Sequence, residues 1–359
     1  MKVLILANND VGLYQFRKEL IQELLKKNMV YISLPYGKLV EPLKKMGCQY
    51  IDTSVDRRGI NPLTDIKLFL KYVSMIRKIK PDLVVTYTIK PNVYGGIVCR
   101  ILHIPYAVNI TGLGTAFQKE GLLRRIVTIM YRIGLKRAKV VFFENGENFQ
   151  MFVKNKVVKR RQACQLNGAG VNVERYHLAE YPDGDITKYL FIGRVMKEKG
   201  IEELFTAMHM LYKDGEQVQL DVLGDYEEDY KEIINRYQSE GWLKYHGYQV
   251  DVKPFIHDSH CFVLPSWHEG MANTNLECAS SGRPVITSNI HGCLEAVEDG
   301  VSGYLCECRN SQDLYQKMKT FVGLSYAERK QMGLAGRKRM EMCFDKRQVV
   351  AKTLSELYK

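Results

Sequence analysis

Two carboxylates, Glu269 and Glu277, stand eight positions apart in the run 268–277, HEGMANTNLE. The apolar tetrapeptide before it, CFVL at 261–264, is closed by Pro265 and reads as a buried strand. After Gly270 the run MANTNLECAS has helical character, and Gly282-Arg283-Pro284 stops it. Gly270, Met271, Ala272, Asn273 and Thr274 therefore form a junction where a loop becomes a helix. The unpaired amides and dipole of such a helix start favour an anion. Eight helical positions span about 12 Å of rise, too far for a shared proton but comparable with a nucleotide diphosphate. Two acceptor groups flanking an anion seat suit a nucleotide-sugar, with one glutamate for sugar hydroxyls and the other for ribose hydroxyls. Taken alone, the spacing fits a pair of solvated helix-start carboxylates better. The neighbouring motifs reverse that preference.

The run 193–200, GRVMKEKG, follows the apolar YLFI. Gly193 permits a sharp turn, and Arg194 and Lys199 place two cations at a strand end, where they would neutralise a diphosphate. A solvated, helix-capping KEK segment explains the same residues. Gly224 follows LDVL and Gly247 follows KYH. Each suits a nucleobase pocket lined by backbone amides, and each is also ordinary turn chemistry.

The elements that must position these residues alternate along the whole chain. KVLILAN, MVYISLPY, DLVVT and VVFF read as strands of the first half, with helical segments between them. Several are apolar on both faces, which implies parallel strands covered on both sides. The pattern restarts after the turn-rich stretch 178–188, with YLFI, LDVL, CFVL and VITS as strands. The fold class expected is α/β, two doubly wound Rossmann-like domains facing a cleft. The boundaries expected are 1–177 for the first domain and 178–340 for the second. Residues 341–359 are expected as a last helix crossing back to the first domain.

A chain of 359 residues exceeds what a single core usually supports. Residues 1–180 hold 30 Lys and Arg against 13 Asp and Glu, and 181–359 hold 22 against 27, so +17 and −5 make up the net +12. Such asymmetry implies two domains with different partners. No apolar run approaches the ~20 residues that span a bilayer, and VLILA at the start is too short for a signal peptide. Nine scattered cysteines suit reduced, buried small hydrophobes better than disulfides or a zinc site. The third glycine of a dinucleotide fingerprint is replaced by Phe117 after Gly112 and by Val173 after Gly168. A nicotinamide enzyme is thereby disfavoured. Asp183 and Asp185, and His291 with Cys293 and Glu295, look like metal ligands but are as well explained as loop residues.

The ordered set GRVMKEKG, GD at 224–225, HG at 246–247, PSWHEGMANTNLE at 265–277 and GRPVI at 282–286 resembles glycosyltransferase family 4. Its members are retaining enzymes of the two-domain GT-B fold. The resemblance covers essentially the whole chain. It implies that Arg194 and Lys199 hold the donor diphosphate, Glu269 the donor sugar and Glu277 the ribose. It also implies that a UDP-sugar is substrate and that no metal or cofactor is needed.

In the first half, VGLYQFRKEL, ISLPYG, DRRGINP, YTIKPNVYGG and NITGLGTAF resemble bacterial enzymes that extend undecaprenyl-diphosphate-linked saccharides for capsule, O-antigen or N-glycan assembly. Many of these transfer N-acetylgalactosamine or a similar UDP-linked hexose. Where many family members carry a histidine near the anomeric centre, this chain has Asn109-Ile110-Thr111-Gly112. Backbone carbonyls or Thr111 are left for that role.

The stretch 122–139, LLRRIVTIMYRIGLKRAK, combines an apolar helical stripe with a polar side of Arg124, Arg125, Arg132, Lys136 and Arg137. It suits either an anionic membrane surface or ordinary core packing. Gly12, Arg57, Arg58, Lys90, Thr111 and Gly112 are candidate acceptor contacts at strand ends. The expected partners are a UDP-sugar donor, a polyprenyl-diphosphate-linked saccharide acceptor and an anionic membrane, with no nucleic acid. The expected location is cytoplasmic, peripheral to the inner face of the cell membrane. The rival expectation is a non-catalytic, membrane-associated saccharide-binding protein on the same fold. The intact set of Arg194, Lys199, Glu269 and Glu277 argues against it.

Overall fold

The computed structural model describes residues 1–56, 61–113, 117 and 121–359. It divides into two compact units, Met1–Ala169 with Arg347–Lys359, and Gly170–Lys346.

In the first unit the strands are β1 (Lys2–Leu6), β2 (Met29–Leu34), β3 (Gln49–Asp52), β4 (Leu83–Tyr87), β5 (Tyr106–Ile110), β6 (Val140–Phe143) and β7 (Ala163–Gln165). The helices between them are α1 (Asp10–Leu25), α2 (Val40–Lys45), α3 (Pro62–Ile79), α4 (Gly96–Ile101), α5 (Leu122–Gly134) and α6 (Gly146–Lys154). Among the described residues the strands form one parallel sheet in the order β3-β2-β1-β4-β5-β6-β7. The central strands are buried along their length, as LVVTY of β4 and YAVNI of β5 are at every position. Fully burying one such Val or Ile stabilises by about 1.5–3 kcal/mol.

The second unit repeats the plan. Its strands are β8 (Thr187–Ile192), β9 (Val218–Leu223), β10 (Leu243–Gly247), β11 (Cys261–Leu264), β12 (Val285–Ser288) and β13 (Gly303–Cys306). Its helices are α7 (Ile201–Lys213), α8 (Lys231–Ser239), α9 (Lys253–Asp258), α10 (Asn273–Ser280), α11 (Ser311–Val322) and α12 (Tyr326–Arg339). The parallel sheet among the described residues runs β10-β9-β8-β11-β12-β13. Each unit thus has the doubly wound organisation expected of its half.

The last helix, α13 (Lys346–Tyr358), packs Val349, Val350 and Leu357 into the core of the first unit. Lys352 and Lys139 fasten it through the carbonyls of Gln165 and Leu357.

The turn-rich stretch 178–188 does not separate the units. The buried Arg283 guanidinium donates to the carbonyls of Glu180, Ile256 and His257, at 2.6, 2.9 and 2.9 Å. Tyr181 is buried beside it. Val171 is held by backbone bonds with Phe344 and Lys346. The division therefore falls at 169/170, earlier in the chain than the turn-forming residues suggest.

Candidate functional site

In a doubly wound sheet, ligands gather where strand order reverses, because the loops there diverge and leave a crevice. In the second unit that point lies between β8 and β11, which pair through Cys261 with Tyr189 and Phe262 with Leu190. The loops after these strands are 193–200 and 265–272, so residues 70 positions apart become neighbours. Lys199 Nζ donates to Glu269 Oε1, and the two side chains are only 19% and 12% exposed. Ser266 Oγ donates to the same carboxylate oxygen at 2.7 Å. The loops are also joined by backbone, Trp267 N donating to Glu198 O at 2.9 Å. Trp267 is held by Glu203, which accepts from its indole N–H at 3.0 Å, and lies under the Arg309 guanidinium.

A third loop, after β12, backs Glu269. Ala272 N donates to Gly292 O at 2.7 Å. Gly292 has φ +93°, and a Cβ there would lie 2.7 Å from the Glu269 carbonyl oxygen and 2.9 Å from its Cβ. Only glycine lets this backbone press against Glu269. Its amide donates to Glu295 Oε2 at 2.7 Å, and the other oxygen of Glu295 faces His291 Nδ1 at 2.9 Å. His291 and Glu295 thus shape the loop. Among the described residues no cluster of three or more His, Cys, Asp or Glu is placed to hold a metal. All nine cysteines are free thiols.

Gly270, Met271 and Ala272 lead into α10, whose first turn holds Asn273 and Thr274. Ala272, the residue before the helix, provides no side-chain hydrogen bond, so the first-turn amides are uncapped by any side chain at that position. Glu277 follows one turn later, partly buried. Burial pushes its carboxyl up to about 7, against the Tyr176 hydrogen bond and the charges of Lys346 and Arg175, which lower it. A carboxylate retained against such a desolvation cost is a frequent mark of a functional position.

The other sequence candidates behave differently. Arg194 is half-exposed and pairs with Glu227 at 3.3 Å rather than joining Lys199. The glycines that end β8 and β9 do not offer amides to a base. Gly193 N donates to Leu223 O at 2.9 Å and Gly224 N to Gly247 O at 2.8 Å, both within the sheet. Gly224 serves close approach instead, since a Cβ there would fall 1.9 Å from Gly193 O. Tyr226 and Tyr245 lie 4.6 Å apart by ring centroids, and Tyr245 donates to Gly224 O.

In the first unit the strand order reverses between β1 and β4. Gly12 lies there, in the first turn of α1, with its amide taken by Asn9 Oδ1 at 2.6 Å. Lys90 follows β4 and is tied to Asp65 at 2.6 Å, which also accepts from Tyr94. Between them Thr88 holds φ +71°, and its hydroxyl is buried without a partner. Thr111 and Gly112 follow β5 and are half-buried. A buried relay fixes their approach: Thr86 Oγ1 donates to Asn92, whose amide donates to Asn109 O, both at 2.8 Å. Arg57 and Arg58 lie outside the described residues.

Sequence reasoning passed over Ser266, Tyr176, Thr88 and Gly292. Ser266 lay in a motif already in view. Gly292 carried a readable signal, a glycine just after an apolar strand. Tyr176 and Thr88 carried none, since their roles rest on burial and backbone geometry.

The second half, residues 177–339, matches the family model described as glycosyl transferases group 1, and residues 2–145 match the one described as glycosyl transferase 4-like. Over 341 residues the chain is 24% identical to the Campylobacter jejuni N,N'-diacetylbacillosaminyl-diphospho-undecaprenol alpha-1,3-N-acetylgalactosaminyltransferase, covering 90% of this chain and 89% of that one. It is 25% identical over 358 residues to the Staphylococcus aureus capsular polysaccharide biosynthesis glycosyltransferase CapM, covering 94% and 92%. In fold it resembles Anabaena HepE, solved in complex with UDP and glucose, with a TM-score of 0.82 at 18% identity over 99% of each chain.

Proposed function

This chain belongs to the glycosyl transferases of group 1, with a glycosyl transferase 4-like first half, and on that premise we propose that it moves a hexose from a UDP-sugar to a polyprenyl-diphosphate-linked saccharide with retention of configuration. The observation that carries the proposal is the Lys199–Glu269–Ser266 cluster beside the uncapped start of α10. A carboxylate oriented by a cation and a hydroxyl can hold sugar hydroxyls, while helix amides and a lysine meet the charge of the leaving diphosphate. Lys199, the first turn of α10 and Arg194, released from Glu227, would together do what a metal ion does in other transferases. Glu277, about one turn into the same helix, is suited to ribose hydroxyls. Glu269 orients the sugar and is not assigned as a covalent nucleophile.

The acceptor and donor classes are supported by the relatives' names: one acts on a diphospho-undecaprenol saccharide with N-acetylgalactosamine. N-acetylgalactosamine or a related hexose is the leading donor. Membrane contact is supported by α5. Leu122, Leu123, Ile126, Ile129 and Ile133 are 44–74% exposed, so this stripe does not pack into the core. Arg124, Arg125 and Arg132 share the helix. An exposed apolar arc flanked by arginines fits the interface of an anionic bilayer, where the enzyme would be peripheral. No described helix is long and apolar enough to cross a membrane.

The test is a donor screen with UDP-, GDP- and TDP-sugars, lipid-linked saccharides as acceptor and released nucleotide as readout. Release from one UDP-sugar, lost in Glu269→Ala, is expected. Absence of any nucleotide binding by folded protein would refute the proposal.

A further inference from the structure

At the end of the second sheet opposite Lys199 and Glu269 lies a cavity of about 380 Å³, within the range of about 300–1,000 Å³ usual for small-molecule sites. It opens at the amino ends of the strands, beside Thr187 of β8, Gln217 just before β9 and His260 just before β11. β8 is six residues long, so about 20 Å of strand separates the cavity from the donor loops. One wall is apolar, made by Val322, Leu324 and the ring of Tyr326, which is 42% exposed. The other wall carries donors. Arg329 is fixed there by Thr187 Oγ1, which accepts at 3.1 Å. His260 is 3% exposed, and its Nδ1 accepts from Lys188 N at 3.1 Å. The ring proton therefore sits on Nε2, which meets no acceptor among the described residues. Burial and the charge of Arg329 hold His260 down to about 4, so it stays a neutral donor. Asp183, Asp185 and Glu216 form an acidic rim, with Asp183 Oδ1 taking the Gly184 amide at 2.9 Å.

We propose that this cavity binds a neutral saccharide, at a place separate from the one that handles the donor sugar. The chemistry of its walls selects the ligand class, whatever the chain transfers. An anion would meet three carboxylates against one guanidinium. A metal ion would need three or more ligating side chains together, and no such cluster exists among the described residues. A wholly apolar ligand would cover the His260 and Arg329 donors without giving them acceptors, at a desolvation cost. A sugar hydroxyl both donates and accepts. Adjacent hydroxyls can therefore accept from His260 Nε2 and Arg329 while donating to the rim carboxylates. The C–H face of a pyranose is apolar and suits the wall of Val322, Leu324 and Tyr326. Asp183 and Asp185, which mimic a metal-binding pair in the sequence, thereby become hydroxyl acceptors.

The full chain should be titrated with methyl α-glucoside, methyl α-N-acetylgalactosaminide and, as the anionic counterpart, methyl α-glucuronide, with saturation-transfer NMR as the readout. At least one neutral glycoside should bind saturably at millimolar concentration, and more tightly than the glucuronide. Asp183→Ala with Asp185→Ala changes only exposed side chains and should weaken that binding by about fivefold for each carboxylate, with circular dichroism to confirm the fold. Glu269→Ala should leave it unchanged, and saturating UDP should not displace it, because the donor loops lie at the other end of the sheet. Binding that survives in the double variant, is lost in Glu269→Ala or is displaced by UDP would overturn the assignment. So would tighter binding of the glucuronide, or no saturable binding of either neutral glycoside. A wild type that binds a neutral glycoside in this pattern but binds no UDP would sink the transferase proposal alone.

Discussion

Glu277→Gln should make the protein more stable at pH 8 and less able to hold its nucleotide. Burial raises the Glu277 carboxyl from 4.5 to about 7. Between those two values the unfolded chain has lost the proton while the folded chain keeps it. Stability therefore falls as pH rises through this window and levels off above it. A shift of 2.5 units, at 1.36 kcal/mol each, sets an upper limit of about 3 kcal/mol, reduced by the solvent that still reaches this partly buried group. Glutamine cannot ionise, so its variant escapes the fall. At about 2–4 °C per kcal/mol, the second unit should melt up to roughly 6–12 °C higher than wild type at pH 8, and nearly together with it at pH 4. If the ionised carboxylate accepts the ribose hydroxyls, wild-type affinity for UDP should rise about tenfold from pH 6 to pH 8, with the variant weaker and flat. Thermal unfolding and titration calorimetry across pH 4–8 read both effects. A variant that is no more stable than wild type at pH 8 and binds UDP with the wild-type pH profile would refute the reasoning.

Lys199→Met removes the cation that holds Glu269, and kcat/KM should fall by about 10²–10³ in a protein that still folds; steady-state kinetics with circular dichroism would check this. Gly292→Ala places a Cβ 2.7 Å from the Glu269 carbonyl at φ +93°, so it should cost about 1–3 kcal/mol in denaturant unfolding and displace Glu269 enough to abolish turnover. Ile126→Ser with Ile129→Ser changes side chains that are 45% and 52% exposed. Folding stability should move by no more than about 0.5 kcal/mol for each, while vesicle binding drops more than about tenfold in a flotation assay.

Much of this protein is legible in its sequence because it is local. Continuous apolar runs such as LVVTY and CFVL announce parallel strands covered on both faces, and the alternation of strand and helix announces two doubly wound halves. The strands hardest to read were β3, β7, β10 and β13, the edges of the two sheets, together with β5, which Asn109 interrupts. Edge strands are short and partly solvated, so they lack the apolar run that marks a central strand. The glutamates, the cations and the helix start were visible as residue types at the ends of strands.

Their relations were not visible, because those depend on which strands become neighbours. Only the pairing of β11 with β8 brings Glu269 to Lys199, and the same topology leaves Arg194 with Glu227. Sequence gave α5 an apolar stripe and an arginine stripe, with membrane and core equally open. Tertiary packing turns Val127 and Tyr131 inward and leaves the isoleucines in solvent. Helical periodicity determines which side chains share a face, but the rest of the fold selects the face it covers.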